Sequence, residues 1–502
     1  MNKKTSERRL NNIKDSFHSE KLNIIGGDNM IIKFKQGLDE NQEFLFPKKF
    51  SEFLPETHLA KAISEIVEKL DLSTIKMKYS SLGQHAYDPK MMVALLFYGY
   101  SQGVRSSRKI SIGCEERFDF AFLSNGLNPS HDRISDFRKD NINELKDTFK
   151  TIVLIGSNLR LVKLGNIKTC IDGTKVKANA SSKLTKDEDG LLKLLEDTEK
   201  EISSLLEEAR RIDEEEDKKY GKENRGNELP KKLRSKLSRK KAIEKAYEKL
   251  LIQKEEMRKN IREQFESEPT EAEEKKIDKA KINVTDNDAN FMHERNGVIR
   301  PNYNSQISVD EKEQFIIAND VTMECTDVYQ LIPMLEKTKE NIKENPKSAK
   351  VDNGYFLQLE LARKTFPKID LYVDDRNRRK EEINMKEIKE KYSKIKYENL
   401  KKLLTKKGKE EYKKRMHTAE PPFGNMKHNL GYRYYLLRGL EKVQGEFNLM
   451  CIGHNINKIY NFATRENKNI ATALANIGKI EGFKGDIGKN SEGVGQNFSF
   501  MR

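Results

Sequence analysis

The sequence contains no tryptophan, and its 502 residues include only four cysteines. These are Cys114, Cys170, Cys325 and Cys451, which are far apart and form no Cys-x-x-Cys spacing. Such a pattern argues against a disulfide scaffold and against a zinc site of the usual thiolate type. It favours a reducing, cytoplasmic compartment.

Long apolar runs are also missing. The stretch "MMVALLFYGY" (91–100) is among the longest, and it is too short to span a bilayer. The first 17 residues, "MNKKTSERRLNNIKDSF", hold no apolar segment of signal-peptide length. We therefore expect no membrane partner.

The charge of the chain is strongly basic. Lysine and arginine number 95 against 80 acidic residues, so the formal net charge is +15. Hydrophobic residues make up 36% of the chain, enough for real cores in two or three domains. A basic excess of this size favours an anionic partner, most often nucleic acid. Many basic proteins bind no anion specifically, so charge alone gives only a modest preference.

Residues 31–163 have a helical pattern. Asp88 and Ser130 stand where helix N-caps are expected, and Pro89 follows Asp88 at a favoured first helical position. The connections carry basic residues, namely Arg105, Arg108, Lys109, Arg133, Arg138 and Lys139. The pattern predicts a helical domain that binds duplex DNA, with Arg105, Arg108 and Arg138 among the contacts. A solvated helix bundle with no DNA partner fits the same charges.

Residues 186–275 consist almost entirely of glutamate, lysine, arginine and leucine. Apolar positions recur at alternating spacings of four and three, which is a heptad seam. The seam residues are Leu191, Leu195, Thr198, Ile202, Leu205, Ala209 and Ile212. After a break at Gly221, Gly226 and Pro230 a second helix follows. We expect an inserted antiparallel hairpin or coiled coil, acting as a spacer or dimer arm. Replacing 189–272 by a short linker is then expected to leave the core folded.

Without the hairpin, strand and helix patterns alternate in the remainder, which predicts a mixed α/β core. Two predicted strands end in an aspartate, Asp172 in "CIDGT" and Asp352 in "KVDNGYF". Functional groups collect at strand carboxyl ends in open α/β sheets. A third acid, Glu420, opens the basic, aromatic segment "EPPFGNMKHNLGYRYY". Asp-Gly after a strand is also an ordinary turn, so each acid alone favours the turn interpretation.

The three acids together indicate a hard metal ion. Carboxylates without soft ligands suit Mg²⁺ or Mn²⁺, which keep water and substrate phosphates in their other positions. Two such ions bridged by one aspartate hold the attacking and leaving oxygens of an in-line phosphoryl transfer. The basic residues around Glu420 would then hold the DNA backbone.

Several motifs resemble those of one family. "YDPKMMVALLFYGYSQGVRSSRKI" and "NPSHDRISDFR" are similar to its N-terminal domain, and "CIDGTKVKANAS", "NYNSQISVD" and "KVDNGYF" to its catalytic strands. The segment "RMHTAEPPFGNMKHNLGYRYYLLRGLEKVQGEFNLMCIGHN" resembles its glutamate motif and is the most specific. Over residues 34–461, the chain resembles the DDE transposases of bacterial insertion sequences, with a helical N-terminal domain and an RNase H-like catalytic core.

The resemblance implies that Asp172, Asp352 and Glu420 form a metal-binding triad, with Asp172 shared by two Mg²⁺ or Mn²⁺ ions. The first two acids are 180 residues apart, a long separation that the inserted hairpin explains. The resemblance also implies DNA contacts by Arg415, Lys427, Tyr432, Arg433 and Arg438. Adjacent Pro421 and Pro422 depart from the family's single proline, and we expect them to place Glu420 at a helix start. With no tryptophan, any base stacking would use Tyr or Phe.

The domain organisation that follows is a flexible tail (1–30), a helical DNA-binding domain (31–163), a catalytic domain (164–185 plus 276–465), the hairpin (186–275) and a second tail (466–502). The implied reaction is metal-dependent cleavage at the ends of a mobile element and transfer of the 3′-hydroxyl into target DNA. Partners would be the terminal inverted repeats, target DNA and a second copy of the chain, on the nucleoid.

Three alternatives stay open. A repurposed transposase that binds DNA without catalysis would keep the basic surface and lose the chemistry. A nuclease of the same fold would cut without joining. A structural coiled-coil protein explains 186–275 but leaves the strand-end acids unexplained.

Overall fold

The computed structural model describes residues 22–24, 31–33, 50–79, 86–220, 231–294 and 296–466. The chain divides into two units, residues 1–53 and 54–502. In the first unit, β1 (Leu22–Ile24) pairs antiparallel with β2 (Ile31–Lys33), and a 3₁₀-helix covers Phe50–Phe53. Apart from β1 and Glu466, the tails predicted at 1–30 and 466–502 lie outside the described residues.

The second unit begins with helices, as the sequence predicts. They are α1 (Leu59–Glu68), α2 (Ser73–Lys76), α3 (Pro89–Ser101), α4 (Ser107–Glu116), α5 (Phe118–Leu123), α6 (His131–Asp140) and α7 (Ile142–Asn158). Asp88 caps α3 by accepting a hydrogen bond from Lys90 N at 3.0 Å, and Pro89 follows it. Ser130 caps α6 by accepting from Arg133 N. Both predicted caps are confirmed, because the side-chain oxygens satisfy otherwise unpaired helix N–H groups.

A mixed sheet follows the helices. Its strands are β3 (Lys168–Lys177), β6 (Asn290–His293), β7 (Ile299–Asp310), β8 (Ile316–Thr322), β9 (Ser348–Val351) and β10 (Asp370–Val373), while β4 (Thr185–Lys186) and β5 (Ile282–Asn283) form a separate pair. The order is β10-β9-β3-β7-β6, and β8 also pairs with β7. β3, β7 and β8 are antiparallel, whereas β3, β9 and β10 are parallel. The carboxyl ends of β3, β9 and β10 therefore meet at one edge.

Helices cover both faces of this sheet. On one face α11 (Leu331–Ile342) and α12 (Leu359–Thr365) pack with Ile171, Ala349 and Val351. The chain then continues through α13 (Met385–Lys391), α14 (Lys394–Leu404), α15 (Lys406–Gly424), a π-helical turn (Asn425–Asn429) and α16 (Leu440–Arg465). The α16 helix is buried along most of its length because it lies between α3, α7 and the sheet.

The predicted fold class is confirmed: a mixed α/β sheet core follows a helical N-terminal segment. One hydrophobic core joins the two, since it contains Phe97 of α3, Ile152 of α7, Ile307 of β7 and Ile452 of α16. The boundary predicted at 163/164 lies in the connection from α7 to β3, yet the segments on either side share this core. None of the helices in the described ranges is long and apolar enough to span a membrane.

The inserted hairpin consists of α8 (Glu188–Tyr220) and α9 (Lys231–Phe265), followed by α10 (Glu271–Asp278). Ion pairs between Glu199 and Lys240 and between Glu201 and Lys236 show that the long helices run antiparallel. Of the predicted seam residues, Leu191, Thr198 and Ile202 are buried, Leu195 and Leu205 are half-buried, and the side chains of Ala209 and Ile212 lie outside the described set.

The base of the hairpin packs on the neighbouring core. Leu191, Ile243 and Leu250 form a cluster with Ile282 and Val284, next to the β4–β5 pair. Lys254, with 5% of its side chain exposed, pairs with Glu188 at 2.6 Å. The hairpin is thus anchored by apolar burial at its base.

We expect two deletions to differ sharply in stability. Replacing residues 204–231 by a short glycine linker keeps the base and should leave the thermal midpoint nearly unchanged. Replacing 189–272 exposes Ile282 and Val284 and should cost about 1.5–3 kcal/mol for each of them. Thermal unfolding followed by circular dichroism distinguishes the two variants. Equal midpoints would show that the base contributes nothing to the core.

Candidate active site at the strand ends

Asp172 and Asp352 lie close to the point where the parallel pairing of β3 with β9 ends. The prediction that a strand ends at Asp172 was wrong, because β3 continues to Lys177, whereas Asp352 directly follows β9. Cys170 of β3 pairs in register with Lys350 of β9, and two residues further along each strand stand the two aspartates. Asp172 is 4% exposed. Asp352 caps a 3₁₀-helix (Asn353–Gln358) by accepting from Gly354 N at 2.8 Å. Asp352 therefore follows the end of β9 and also caps the turn that comes after it.

Arg415 of α15 is the cation that faces the two acids. Its Nη1 atom lies 3.4 Å from Oδ1 of Asp172, and only 12% of its side chain is exposed. Burial works to lower the pKa of Arg415, but the charges of Asp172, Tyr412 and Asp352 outweigh it and raise that pKa. Arg415 Nε and Nη1 are buried and have no hydrogen-bond acceptor in the described part of the chain. Buried donors without an acceptor are energetically unfavourable, so an anionic oxygen that reached them would be stabilised.

The charge state of Asp352 is set by its surroundings. Burial raises the pKa of its carboxyl group; Arg415 and the Gly354 N–H oppose the rise, and Asp327 and Asp374 add to it. The net direction is upward. Carboxylates whose ionised form is disfavoured by burial gain most from an added cation.

Two further acids, Asp327 and Asp374, lie in this neighbourhood. No strand-end motif in the sequence pointed to Asp327, and only a weak one pointed to Asp374. Asp327 accepts hydrogen bonds from Asn304 and Gln306, both at 2.7 Å, and pairs with Lys175 at 3.3 Å. Asp374 follows β10 directly and is fully buried. The sequence did show the strand "KIDLYVDD", so strand-end position was the available signal for Asp374.

Gly173, next to Asp172, is required by close packing. A Cβ atom at this position would lie 2.2 Å from Gln306 Nε2 and 2.7 Å from Asp327 Oδ1. Gln306 in turn accepts a hydrogen bond from the Tyr355 hydroxyl. The "DG" pair in "CIDGT" therefore lies within a continuous strand and does not form a turn.

Glu420 lies inside α15 and not at a helix start, so that expectation was wrong. The helix continues through Pro421 and Pro422 to Gly424. Proline has no N–H, so Pro421 leaves the carbonyl of His417 without its helical donor. Gln314 Nε2 supplies the missing donor at 2.8 Å, which allows the helix to continue.

Glu420 is exposed, and the structure does not bring it to the two aspartates. It follows Arg415 by five residues, which places the two side chains about 140° apart around a helix of 3.6 residues per turn. Because Arg415 faces Asp172, Glu420 points away from the sheet. Within the described ranges, no three His, Cys, Asp or Glu side chains are close enough to hold one metal ion.

The donor set therefore fits a divalent metal only in part. Asp172 and Asp352 are adjacent hard oxygen ligands, beside a cation that already offsets their charge. This suits Mg²⁺ or Mn²⁺. Glu420, the third predicted ligand, does not complete the set in this conformation. The metal-binding role of the triad stays a prediction.

Three residues predicted to contact DNA are buried inside the protein. Arg105 is 6% exposed, pairs with Glu446 at 3.1 Å and donates to the carbonyl of Tyr434. Arg138 is 4% exposed and donates to the Arg105 carbonyl at 3.0 Å. Tyr432 is 2% exposed. The structure does not support DNA contacts by Arg105, Arg138 or Tyr432, because their side chains are buried in the core.

The remaining predicted contacts are accessible to different degrees. Arg108, Arg433 and Arg438 are exposed. Arg438 donates to the carbonyl of Asn179 at 2.9 Å and keeps other donors free for solvent. Lys427 is half-buried and donates to Thr174 Oγ1 at 2.6 Å and to the Lys175 carbonyl at 2.9 Å. Lys427 thus ties the segment after α15 to β3, two residues beyond Asp172.

Comparison with known families matches two separate segments of the chain. Residues 375–460 match the family described as "Transposase DDE domain", and residues 48–140 match "Transposase domain (DUF772)". Both matches indicate similarity to the DDE transposases of insertion sequences. No curated protein and no solved structure shows a significant match to the chain.

The two matched segments cover different parts of the chain. The first contains Glu420, Arg415 and Lys427, and the second contains the helices α1 to α6. Asp172 and Asp352 lie outside both, so their assignment depends on the strand-end geometry. The matches support a transposase function, and the family implies DNA as the substrate.

Proposed function

We propose that this chain is a transposase that cuts DNA strands at the ends of its element and joins the 3′-hydroxyl to target DNA, using Mg²⁺ or Mn²⁺. The observation that carries the proposal is the pair Asp172 and Asp352 at the shared strand edge, with Arg415 buried against it. Hard carboxylate oxygens and an arginine with unfilled donors together suit the metal-bound phosphodiester of DNA.

In this proposal Asp172 and Asp352 would hold the metal, with Asp172 shared if two ions bind. The bound metal supplies Lewis-acid activation of the phosphoryl group and of the attacking water or 3′-hydroxyl. Arg415 would donate from Nε or Nη1 to a non-bridging phosphate oxygen, since these donors have no acceptor in the described protein. Lys427 would keep the segment after α15 in place through Thr174.

Glu420 as third ligand requires α15 to change its position relative to β3 when DNA and metal bind. The required change concerns the end of α15, where the two prolines remove backbone donors and Gln314 holds the chain. Assembly of two copies on paired DNA ends would provide the occasion for such a change. We include the dimer on DNA in the proposal for this reason.

A second candidate function is favoured by the position of Glu420. A chain that binds DNA without cutting it needs no third ligand, and Glu420 is exposed and apart from the aspartates. The two functions differ in one measurable property, which is the appearance of metal-dependent cleavage products.

The test is a cleavage and strand-transfer assay with the full chain, Mg²⁺ or Mn²⁺, and labelled DNA from the flanks of its own gene. We expect joined products from the unaltered protein and none from Glu420→Gln. Glu410→Gln is the matched control, because Glu410 is an exposed acid on the same helix. We expect its activity to stay within about twofold, as is usual for surface substitutions.

Each outcome has a distinct meaning. Loss of products in Glu420→Gln alone supports the triad and the movement of α15. Equal activity of the two variants would remove Glu420 from the site while leaving cleavage established. Binding without any cut by the unaltered protein, with both metals tried, would favour the non-catalytic function.

A further inference from the structure

The strand β10 ends in a charged segment that the proposed chemistry does not use. Asp374 and Asp375 follow β10, and a 3₁₀-helix of sequence "RNRR" (Arg376–Arg379) comes next. Val373 pairs in register with Val351, so Asp374 stands beside Asp352. The Asp374 N–H donates to the Val351 carbonyl at 3.1 Å, which continues the pairing to the end of the strand.

Asp374 holds two arginines at once. Its side chain is fully buried; Arg378 Nε donates to Oδ1 and Arg379 Nη2 donates to Oδ2. The guanidinium of Arg378 also lies over the ring of Tyr412, at 4.5 Å from its centroid. A buried carboxylate with a donor on each oxygen fixes the orientation of both arginine side chains.

The backbone around the two arginines is also fixed. Asp375 is 1% exposed and caps the 3₁₀-helix by accepting from Asn377 N at 2.8 Å. Asn353, next to Asp352, donates to the carbonyl of Asp374 at 3.1 Å. The arginine pair is thus connected, through Asp374, to the turn that carries Asp352.

Arg379 presents much of its guanidinium side chain to solvent. The side chain of Arg379 is 62% exposed, although one of its nitrogens is held by Asp374. Its hydrogen bond to Asp374 raises the pKa of Arg379, and the charges of Asp374 and Asp352 contribute to the same rise. Arg379 is therefore a fixed, solvent-facing cation close to the acid pair, with donors left for an outside anion.

The helix that carries Tyr412 also carries exposed lysines. Lys413 follows Tyr412, which lies under Arg378, and Lys409 is exposed four residues before Lys413, next to the exposed acid Glu410. Residues four apart lie on the same side of a helix. The two lysines would add a flexible, screened attraction for phosphates.

We propose that Arg378 and Arg379, held by the buried Asp374, form a binding site for a backbone phosphate of duplex DNA next to Asp352. The site deepens the proposed function, because it would position DNA over the strand-end acids. It makes phosphate contacts only, so it orients DNA without reading its sequence. Asp374 acts as a positioning residue through the arginines.

The test is DNA binding by the full chain in EDTA, measured by fluorescence anisotropy with a labelled duplex at several salt concentrations. We expect Arg379→Gln to raise the Kd about fivefold to tenfold near 0.1 M salt and to reduce the salt slope by about 0.9, the value for one phosphate contact. Arg376→Gln is the matched control, since Arg376 is exposed on the same 3₁₀-helix. We expect less than about a twofold change there, because a flexible surface cation adds only a screened attraction.

A second variant separates positioning from charge. Asp374→Asn removes one negative charge, so the net charge of the protein rises by one. Simple electrostatic attraction would then predict tighter DNA binding. We expect weaker binding, by about threefold or more, because the arginines lose the acceptor that orients them. A thermal-unfolding scan of each variant identifies any loss caused by unfolding, and Arg379→Gln, on an exposed side chain, gives the answer if Asp374→Asn does not fold.

The proposal is overturned if Asp374→Asn binds DNA more tightly, or if Arg376→Gln and Arg379→Gln weaken binding equally. These measurements need no metal and no cleavage. If the unaltered protein never cuts DNA but Arg379→Gln still loses a phosphate contact, the catalytic proposal fails and the phosphate site stands.

Discussion

Replacing Asp172 with asparagine should abolish strand cleavage while leaving the affinity for DNA nearly unchanged. Loss of a residue that only supports a metal ligand typically costs 10–100-fold in affinity or activity, so loss of a ligand should cost at least about 100-fold. Asp172 is 4% exposed and faces Arg415, so it has no direct access to most of a bound duplex. Gel-based cleavage and anisotropy binding measured on the same preparation test both parts.

The control for this variant is Asp320→Asn, which alters an acid of β8 that pairs with Lys337 at 2.7 Å. We expect that variant to cleave at nearly the unaltered rate. Normal cleavage by Asp172→Asn would show that the strand-end site is wrongly assigned. Loss of both cleavage and binding in Asp172→Asn, with an unchanged thermal midpoint, would instead place Asp172 in the DNA interface.

Replacing Glu446 with glutamine should destabilise the whole second unit. Its fully buried carboxylate accepts from Arg105 Nη1 at 3.1 Å, from Leu436 N at 2.9 Å and from Leu437 N at 2.8 Å. Breaking a buried ion pair by removing one partner costs about 3–5 kcal/mol, because the other charge stays buried and unbalanced. Urea unfolding monitored by tyrosine fluorescence measures the loss in free energy of unfolding.

Glu441→Gln is the matched control, since Glu441 is an exposed acid on the same helix, α16. We expect a change within about 0.5 kcal/mol there. Arg105→Met should resemble Glu446→Gln and not the control. If Arg105→Met weakens DNA binding and leaves the free energy of unfolding unaltered, Arg105 contacts DNA. The buried ion pair between Arg105 and Glu446 would then contribute nothing to stability.

Local features of the fold were readable from the sequence because local interactions cause them. Asp88, Pro89 and Ser130 mark helix starts, since a side-chain oxygen and a fixed proline φ act within three residues. The heptad seam that includes Leu191 and Ile202 predicts the long helices of the hairpin. The strand end at Asp352 follows from a short apolar run that stops at an acid, whereas β3 continues past Asp172 to Lys177.

The accessibility of charged residues was not readable from the sequence. Arg105 and Arg138 occur in a basic stretch that is typical of DNA-binding surfaces, yet both are buried. Their positions follow from the packing of α16 against the N-terminal helices, which brings Glu446 to Arg105 across 341 residues of sequence. Glu420 was placed wrongly because the two prolines end a helix only when no other group replaces the missing donors.

The sequence by itself determined the element types, the helix caps, the inserted hairpin and the strand end at Asp352, because propensity, periodicity and capping act over a few residues. Only the tertiary structure decided which acids are neighbours. Parallel pairing of β3, β9 and β10 aligns Asp172, Asp352 and Asp374, and the crossing of α15 aims Arg415 at Asp172 and turns Glu420 to solvent. Strand register and helix rotation depend on contacts between residues hundreds of positions apart, and a single sequence does not contain them in readable form.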